Sequence, residues 1–229
     1  MRPPTTRLLA ALLLAALLGA CGSAAAPAPA ATATPAASGV PSPDRAAAPG
    51  SWTVGAASKA TARVREQLVG VSAPSDAVLV ATGGKGTFAL NPDGTFSSDS
   101  KISFDLSTLA SDNRNRDDFV KRSTLAVQQF PTADLVPLKA TGLRLPLPAS
   151  GDFTFRLAAK LTIRGITKDV TFAVVAKRSG GDLTATAMLD PSLKFGDFGM
   201  SAPSVPTRVI SVVDEIRLLV DLVATGPAS

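Results

Sequence analysis

The longest regular pattern in the chain is an alternation of apolar and polar residues through Asp152–Arg164. A period of two places all apolar side chains on one face of a strand. These apolar positions are Phe153, Phe155, Leu157, Ala159, Leu161 and Ile163. Beyond a glycine, Val170 and Phe172 resume the alternation, which predicts a second, antiparallel strand joined to the first through Gly165–Lys168.

Alternation of the same kind recurs through most of the remaining chain. In Lys101–Thr108, for example, Ile102, Phe104 and Leu106 stand between polar neighbours. Eight or more such strands with hairpin-length connections predict an all-β fold, either an antiparallel barrel or a sandwich. Ser111–Phe130 breaks the pattern, and we expect a short helical or irregular excursion there that covers one end of a barrel.

The N-terminal residues carry a targeting pattern. Two arginines precede the apolar run Leu8–Leu18, which is too short to span a bilayer comfortably and is typical of a secretory signal. The following Leu-Gly-Ala-Cys sequence matches a bacterial lipobox and ends at Cys21, the only cysteine in the chain. We therefore predict a signal peptide over residues 1–20 and a lipid anchor on Cys21, outside the cytoplasm on the periplasmic or cell-surface side. The alternative is an ordinary signal peptide that contains a cysteine.

Residues 21–50 are mostly Ala, Pro, Ser and Thr, a composition that cannot bury enough apolar surface to fold. They predict a disordered tether between the anchor and a folded domain at residues 51–226. The chain has 23 Lys and Arg against 18 Asp and Glu, scattered without a basic run. Nucleic acid is therefore not an expected partner.

The sequence lacks most of the residues and motifs on which enzyme catalysis commonly depends. The sequence contains no histidine, which removes the commonest general base, the Ser-His-Asp arrangement and the usual zinc ligands. No phosphate-binding or dinucleotide-binding glycine motif is present. We predict no catalytic residue, no metal site and no cofactor. A hydrolase built on a carboxylate pair is a remote alternative, because the neighbouring Asp117 and Asp118 would point apart on an extended chain.

Four segments together carry a family resemblance. LTIRGITKDVTF at Leu161–Phe172 resembles the signature of the YceI-like family, a group of extracytoplasmic lipid-binding proteins. Ser51–Val54 is similar to the family's opening Trp-containing strand, Asn115–Asp117 with Phe130–Pro131 to its "RD…(aromatic)P" segment, and Phe195–Met200 to its "FG" loop. The resemblance implies a lipocalin-like barrel of about eight strands, and so favours a barrel over a sandwich. It also implies an isoprenoid lipid as ligand, a polyprenyl phosphate or a quinone tail.

An apolar barrel interior would accept such a chain without polar contacts. The predicted lining is Phe88, Phe104, Leu106, Phe119, Phe130, Phe153, Phe155, Leu157, Leu161, Phe172 and Phe198. The alternative is that these side chains fill the barrel solidly, in which case its outer surface would bind an envelope protein or polymer. The interior volume distinguishes the two.

Three cations are candidates for contact with a lipid headgroup: Arg116, Lys121 and Arg122. Arg116 lies in the segment that resembles the family's "RD" motif, and the alternative role for it is a local structural ion pair. The family usually has histidine two positions after this motif, where the present chain has Phe119. Phe119 would add apolar surface at the mouth of the barrel.

Overall fold

A computed structural model describes residues 50–205 and 207–227. The predicted signal peptide, Cys21 and almost all of the predicted tether lie outside the described residues. Ten strands are present in the described ranges: β1 (Ser51–Val54), β2 (Lys59–Leu68), β3 (Ser75–Thr82), β4 (Lys85–Ala89), β5 (Lys101–Asp105), β6 (Thr132–Thr141), β7 (Ser150–Ile163), β8 (Ile166–Ser179), β9 (Asp182–Leu189) and β10 (Val209–Thr225).

Eight of these strands close a ring, and every pairing in it is antiparallel. The order is β1-β4-β5-β6-β7-β8-β9-β10, and β10 pairs back onto β1 at Thr53–Thr225 and Val54–Ala224. Closure leaves the ring without exposed edge strands. The predicted antiparallel barrel of about eight strands is therefore confirmed, and the sandwich alternative is wrong.

The β2–β3 hairpin extends one wall of the barrel beyond the ring. β2 follows β1 along the same edge of β10, and residues 55–58 separate the two strands. The fully buried hydroxyl of Ser58 fills this gap, since it donates to the Val223 carbonyl at 3.1 Å and accepts from the Val223 amide at 2.9 Å. The Gly55 amide also donates to the Val223 carbonyl at 2.7 Å, so one backbone bond and one side chain together keep the wall continuous.

The β7–β8 hairpin is tighter than the sequence pattern indicated. We expected a connection through Gly165–Lys168, but β8 already begins at Ile166, opposite Ile163. The two loop residues, Arg164 and Gly165, both have positive φ, at 51° and 72°. Two positive φ values define the type I′ turn, whose twist matches that of the flanking strands. Arginine is unusual in this conformation, and so the turn was not evident from the sequence.

Helical segments interrupt the strands at two places. The excursion expected in Ser111–Phe130 contains the helix α1 (Arg114–Phe119) and a π-helical turn (Val120–Thr124). The strand predicted over Lys101–Thr108 is shorter than expected: β5 ends at Asp105, whose side chain accepts from the Ser107 amide and caps a 3-10 helix at Leu106–Thr108. A second 3-10 helix, Phe195–Phe198, lies in the connection from β9 to β10. Within the described ranges, no helix combines the length and apolar character needed to cross a membrane.

Candidate functional site

The barrel encloses a large cavity at the end where the helical segments lie. Its volume is about 740 Å³, within the range of roughly 300–1,000 Å³ that is typical of small-molecule sites. Walls come from β2, β3, β5, β6, β7, β8 and the part of β10 up to Val220, and α1 and the β9–β10 connection cover it. The interior is therefore hollow at this end, which favours a binding role over the solidly filled barrel.

Side-chain size explains why only one end is hollow. The inward positions of β2 and β3 include four alanines that line the large cavity: Ala60, Ala62, Ala77 and Ala81. The opposite end holds bulky rings instead, with Trp52 stacked on Phe88 at a centroid distance of 6.3 Å. The cavity at that end has a volume of only about 90 Å³.

Arg178 closes the aromatic end of the barrel. Its guanidinium lies 5.0 Å from the Trp52 ring centroid and donates to the carbonyls of Gly180 and Pro148 at 2.9 and 3.2 Å. The Arg178 residue is buried although it is charged. Rings and this cation together leave little room for a ligand, so entry is expected at the other end.

Solvent-exposed members of the lining mark the mouth of the large cavity. Val69 and Val71, beside the β2–β3 turn, are 53% and 46% exposed. Asn113, Asn115 and Arg208 also border the cavity and are exposed. The mouth thus combines apolar and polar groups, while the interior is almost wholly apolar.

A buried ion pair lies at the polar side of this mouth. Nη2 of Arg116 contacts Oε1 of Glu66 at 2.6 Å, and their side chains are only 17% and 8% exposed. Both residues border the cavity, Glu66 from β2 and Arg116 from α1. Helix α1 is oriented by its N-cap Asn113, whose side chain accepts from the amides of Asn115 and Arg116. The cap therefore fixes the start of the helix that carries Arg116.

Arg116 makes further contacts on its own side of the mouth. Nη1 contacts Asp112 at 2.5 Å and Ser111 Oγ at 3.4 Å. The Ser111 hydroxyl also donates to the buried carboxylate of Asp117 at 2.6 Å. The local structural pair that was the alternative role for Arg116 is thus present, in a position that borders the cavity.

The carboxylates of the cavity lining are engaged with cations. Glu66 contacts Arg116, and Asp134 contacts Nζ of Lys101 at 2.9 Å and the Ser103 hydroxyl at 2.7 Å. Burial acts to raise the pKa of Asp134, but the Ser103 hydrogen bond and Lys101 outweigh it and hold that pKa below its ordinary value of 3.8. Among the described residues, no three acidic, histidine or cysteine side chains group as a metal site would require.

A cover over the cavity is provided by the Phe195–Phe198 helix. Phe195, Phe198 and Met200 are buried and line the cavity. The Phe195 amide donates to Asp214 on β10 at 2.9 Å, and Nη1 of Arg164 donates to the Gly199 carbonyl at 2.5 Å. Both ends of the cover are therefore bonded to the barrel.

The predicted site residues separate into three groups. The lining of the large cavity includes Phe104, Leu106, Phe119, Leu161, Phe172, Phe198 and Arg116. The lining of the small cavity includes Phe88, Phe153, Phe155 and Leu157. Neither lining contains Phe130, Lys121 or Arg122. Phe130 packs instead against the β7–β8 turn, where a Cβ on Gly165 would lie 3.1 Å from its ring.

Several lining residues were not predicted. Glu66 and Arg208 give no local sign of a binding role, since single charged residues are common on strands and loops. The apolar face of β10 could have been found, because Ile216, Leu218 and Val220 alternate with polar or outward positions. Small inward residues on β2 were the other available signal, since alanines at alternate positions leave space inside a barrel.

The fold is thus a closed antiparallel barrel with an internal apolar cavity. The YceI-like domain model matches residues 52–224, so the chain belongs to the YceI-like family. No curated protein sequence shows significant similarity to it.

The solved structures that share this fold include the following two. One is described as a polyisoprenoid binding domain from Saccharophagus degradans implicated in plant cell wall breakdown; it is 12% identical with a TM-score of 0.57, over 77% of this chain and 98% of that one. The other is BcnA from Burkholderia cenocepacia, 20% identical with a TM-score of 0.54, over 73% of this chain and 96% of that one.

Proposed function

We propose that this protein binds an isoprenoid lipid in the large cavity and holds or carries it outside the cytoplasm. The cavity of about 740 Å³ with apolar walls carries the proposal. A flexible prenyl chain suits such a space because it needs no polar partners, and its burial yields about 25 cal/mol for each Å² of apolar surface removed from water. Membership of the YceI-like family and the likeness to a polyisoprenoid binding domain support the same ligand class.

The ligand headgroup would lie at the mouth. Asn113, Asn115 and Arg116 are placed there by α1 and its N-cap, and Arg208 borders the same cavity from the segment just before β10. These groups offer amide and guanidinium donors, which suit the oxygens of a quinone or a phosphate. The interior, by contrast, offers no comparable set of donors. We therefore expect the chain end to enter first and the headgroup to remain near solvent.

Native mass spectrometry of the full-length protein tests the binding proposal. The protein is measured as isolated and after incubation with a polyprenyl phosphate, a prenylated quinone and a polyprenol, and an organic extract is analysed in parallel. A discrete added mass that extracts as a prenyl lipid is the expected result. A protein that keeps its bare mass with all three compounds would overturn the proposal.

We also propose that Cys21 anchors the protein to a membrane through its lipid, with residues 21–50 as the tether. The lipobox sequence that ends at Cys21 supports this part. In a bacterial host, Cys21→Ser should move the protein from the membrane fraction to the soluble extracytoplasmic fraction. Labelling of the parent protein with a fatty-acid probe should be lost in the variant. Equal membrane association of both proteins would contradict the anchor.

A further inference from the structure

The large cavity ends inside the barrel, not at its far end. Beyond it lies the small cavity of about 90 Å³, which is also apolar and extends toward Trp52. Only two of the described residues border both spaces: Leu135 on β6 and Val220 on β10. Both are buried, with exposed fractions of 5% and 6%.

The strand order places these two residues on opposite walls. In the eight-membered ring, three strands separate β6 from β10 in either direction. Leu135 is paired with Ile102 and Leu161, whereas Val220 is paired with Ala187 and Ala60. Both side chains point inward from opposite walls and border both spaces, so they mark the boundary between the two cavities, which we call the partition.

We propose that Leu135 and Val220 set the length of the lipid chain that the barrel accepts. This inference rests on the proposed function, because a partition limits only a chain that has entered the large cavity. A chain longer than that cavity must either leave its surplus apolar units in water or displace the two side chains, and both are unfavourable. Chains that end at the partition are therefore preferred.

Space on the far side would accept a longer chain if the partition were reduced. The residues there include Leu157, Val174 and Ala187, all of them apolar. Val220→Ala removes two methyl groups from the partition, and we expect it to open a passage between the two cavities. Val220→Phe has the opposite effect, since a larger side chain would extend into the large cavity.

The test uses full-length protein and an equimolar series of prenyl alcohols that differ by one isoprene unit, analysed by native mass spectrometry. Val220→Ala should bind chains at least one isoprene unit longer than the wild type does. Its preference for the longer chain should rise roughly tenfold or more, since even one methylene in an apolar pocket changes discrimination by about that factor. Val220→Phe should shift the preference to shorter chains.

Two variants with the same substitution serve as controls. Val64→Ala enlarges only the large cavity and Val174→Ala only the small one, so neither should move the length limit in the way that Val220→Ala does. A limit that is the same in wild type, Val220→Ala and Val220→Phe would overturn the partition and leave the proposed function standing. A wild-type protein that binds no member of this series, nor of the matching series of prenyl phosphates and prenylated quinones, would overturn the proposed function, and the partition with it.

Discussion

Arg164 donates a hydrogen bond from Nη1 to the backbone carbonyl of Gly199 at 2.5 Å. Arg164 lies in the type I′ turn between β7 and β8, and Gly199 ends the 3-10 helix that covers the large cavity, with φ at 61°. The two segments are those of the LTIRGITKDVTF and FGDFGM motifs. Their resemblance to the family's motifs therefore has a physical basis, because the turn of one motif holds the loop of the other.

We expect Arg164→Asn to loosen this cover. Asparagine tolerates the left-handed conformation at position 164, so the substitution removes the hydrogen bond with little change in backbone strain. The free energy of unfolding should fall by about 1.5–3 kcal/mol, the typical worth of a hydrogen bond that involves a charged group. Amide exchange at Met200, whose amide donates to the Phe195 carbonyl, should become faster.

Arg156→Ala is the matched control for this prediction. Arg156 is also on β7 and forms an ion pair with Asp190, but both of these side chains are more than half exposed to solvent. Such surface pairs contribute about 0–1 kcal/mol. Exchange at Met200 that is equally fast in the Arg156 and Arg164 variants would contradict the assigned role of Arg164.

Ser58→Ala should weaken closure of the barrel. The variant leaves the Val223 amide without the hydroxyl that accepts from it, in a site where Ser58 is fully buried, whereas the Val223 carbonyl keeps its bond from the Gly55 amide at 2.7 Å. The expected loss in the free energy of unfolding is about 1–3 kcal/mol. Chemical denaturation measures it.

Ser51→Ala provides the comparison. The Ser51 hydroxyl is buried and finds no hydrogen-bond partner among the described residues, so its removal should be neutral or slightly stabilising. If both serine variants lost stability to the same extent, the loss would come from the change of residue type rather than from the Val223 bonds.

Substitutions of Glu66 and Arg116 should have strongly non-additive effects on the free energy of unfolding. Arg116→Met leaves Glu66 buried without that cation, and we expect it to destabilise the protein by about 3–5 kcal/mol. Replacing both residues by methionine removes the unpaired charge, so the double variant should recover most of that loss. Urea unfolding of the two single variants and the double variant gives the coupling energy. Additive losses would show that the pair is not coupled at the mouth.

Stability should fall in acid partly through Asp134. Its pKa is lower in the folded protein than the ordinary 3.8, so the folded state binds fewer protons than the unfolded chain near that pH. The stabilisation is present above pH 3.8 and is lost as the pH falls through the folded value. Asp134→Asn should therefore show a weaker loss of stability between about pH 5 and about pH 2. Identical pH dependence in the variant and the wild type would contradict this assignment.

The sequence was informative about strands and much less so about the cavity. Alternation identified the inward face of β7 because large apolar residues stand out against polar neighbours. The same pattern fits a filled or a hollow barrel, and so the predicted lining mixed residues of both cavities, such as Phe104 and Phe155. Glu66 and Arg116 are 50 positions apart, and only the folded arrangement of β2 and α1 brings them together. The hollow end depends on small residues such as Ala62, whose weak hydrophobicity gives little signal.

The central claim is that a prenyl lipid lies inside the large cavity, and one pair of variants tests it directly. Ala62→Phe places a ring in the cavity, whereas Ala173→Phe places the same ring on the exposed outer face of β8. Prenyl lipid bound per protein is measured by native mass spectrometry. We predict that the wild type and Ala173→Phe bind one lipid, and that Ala62→Phe loses binding. Undiminished binding by a folded Ala62→Phe variant would show that the lipid does not occupy this cavity.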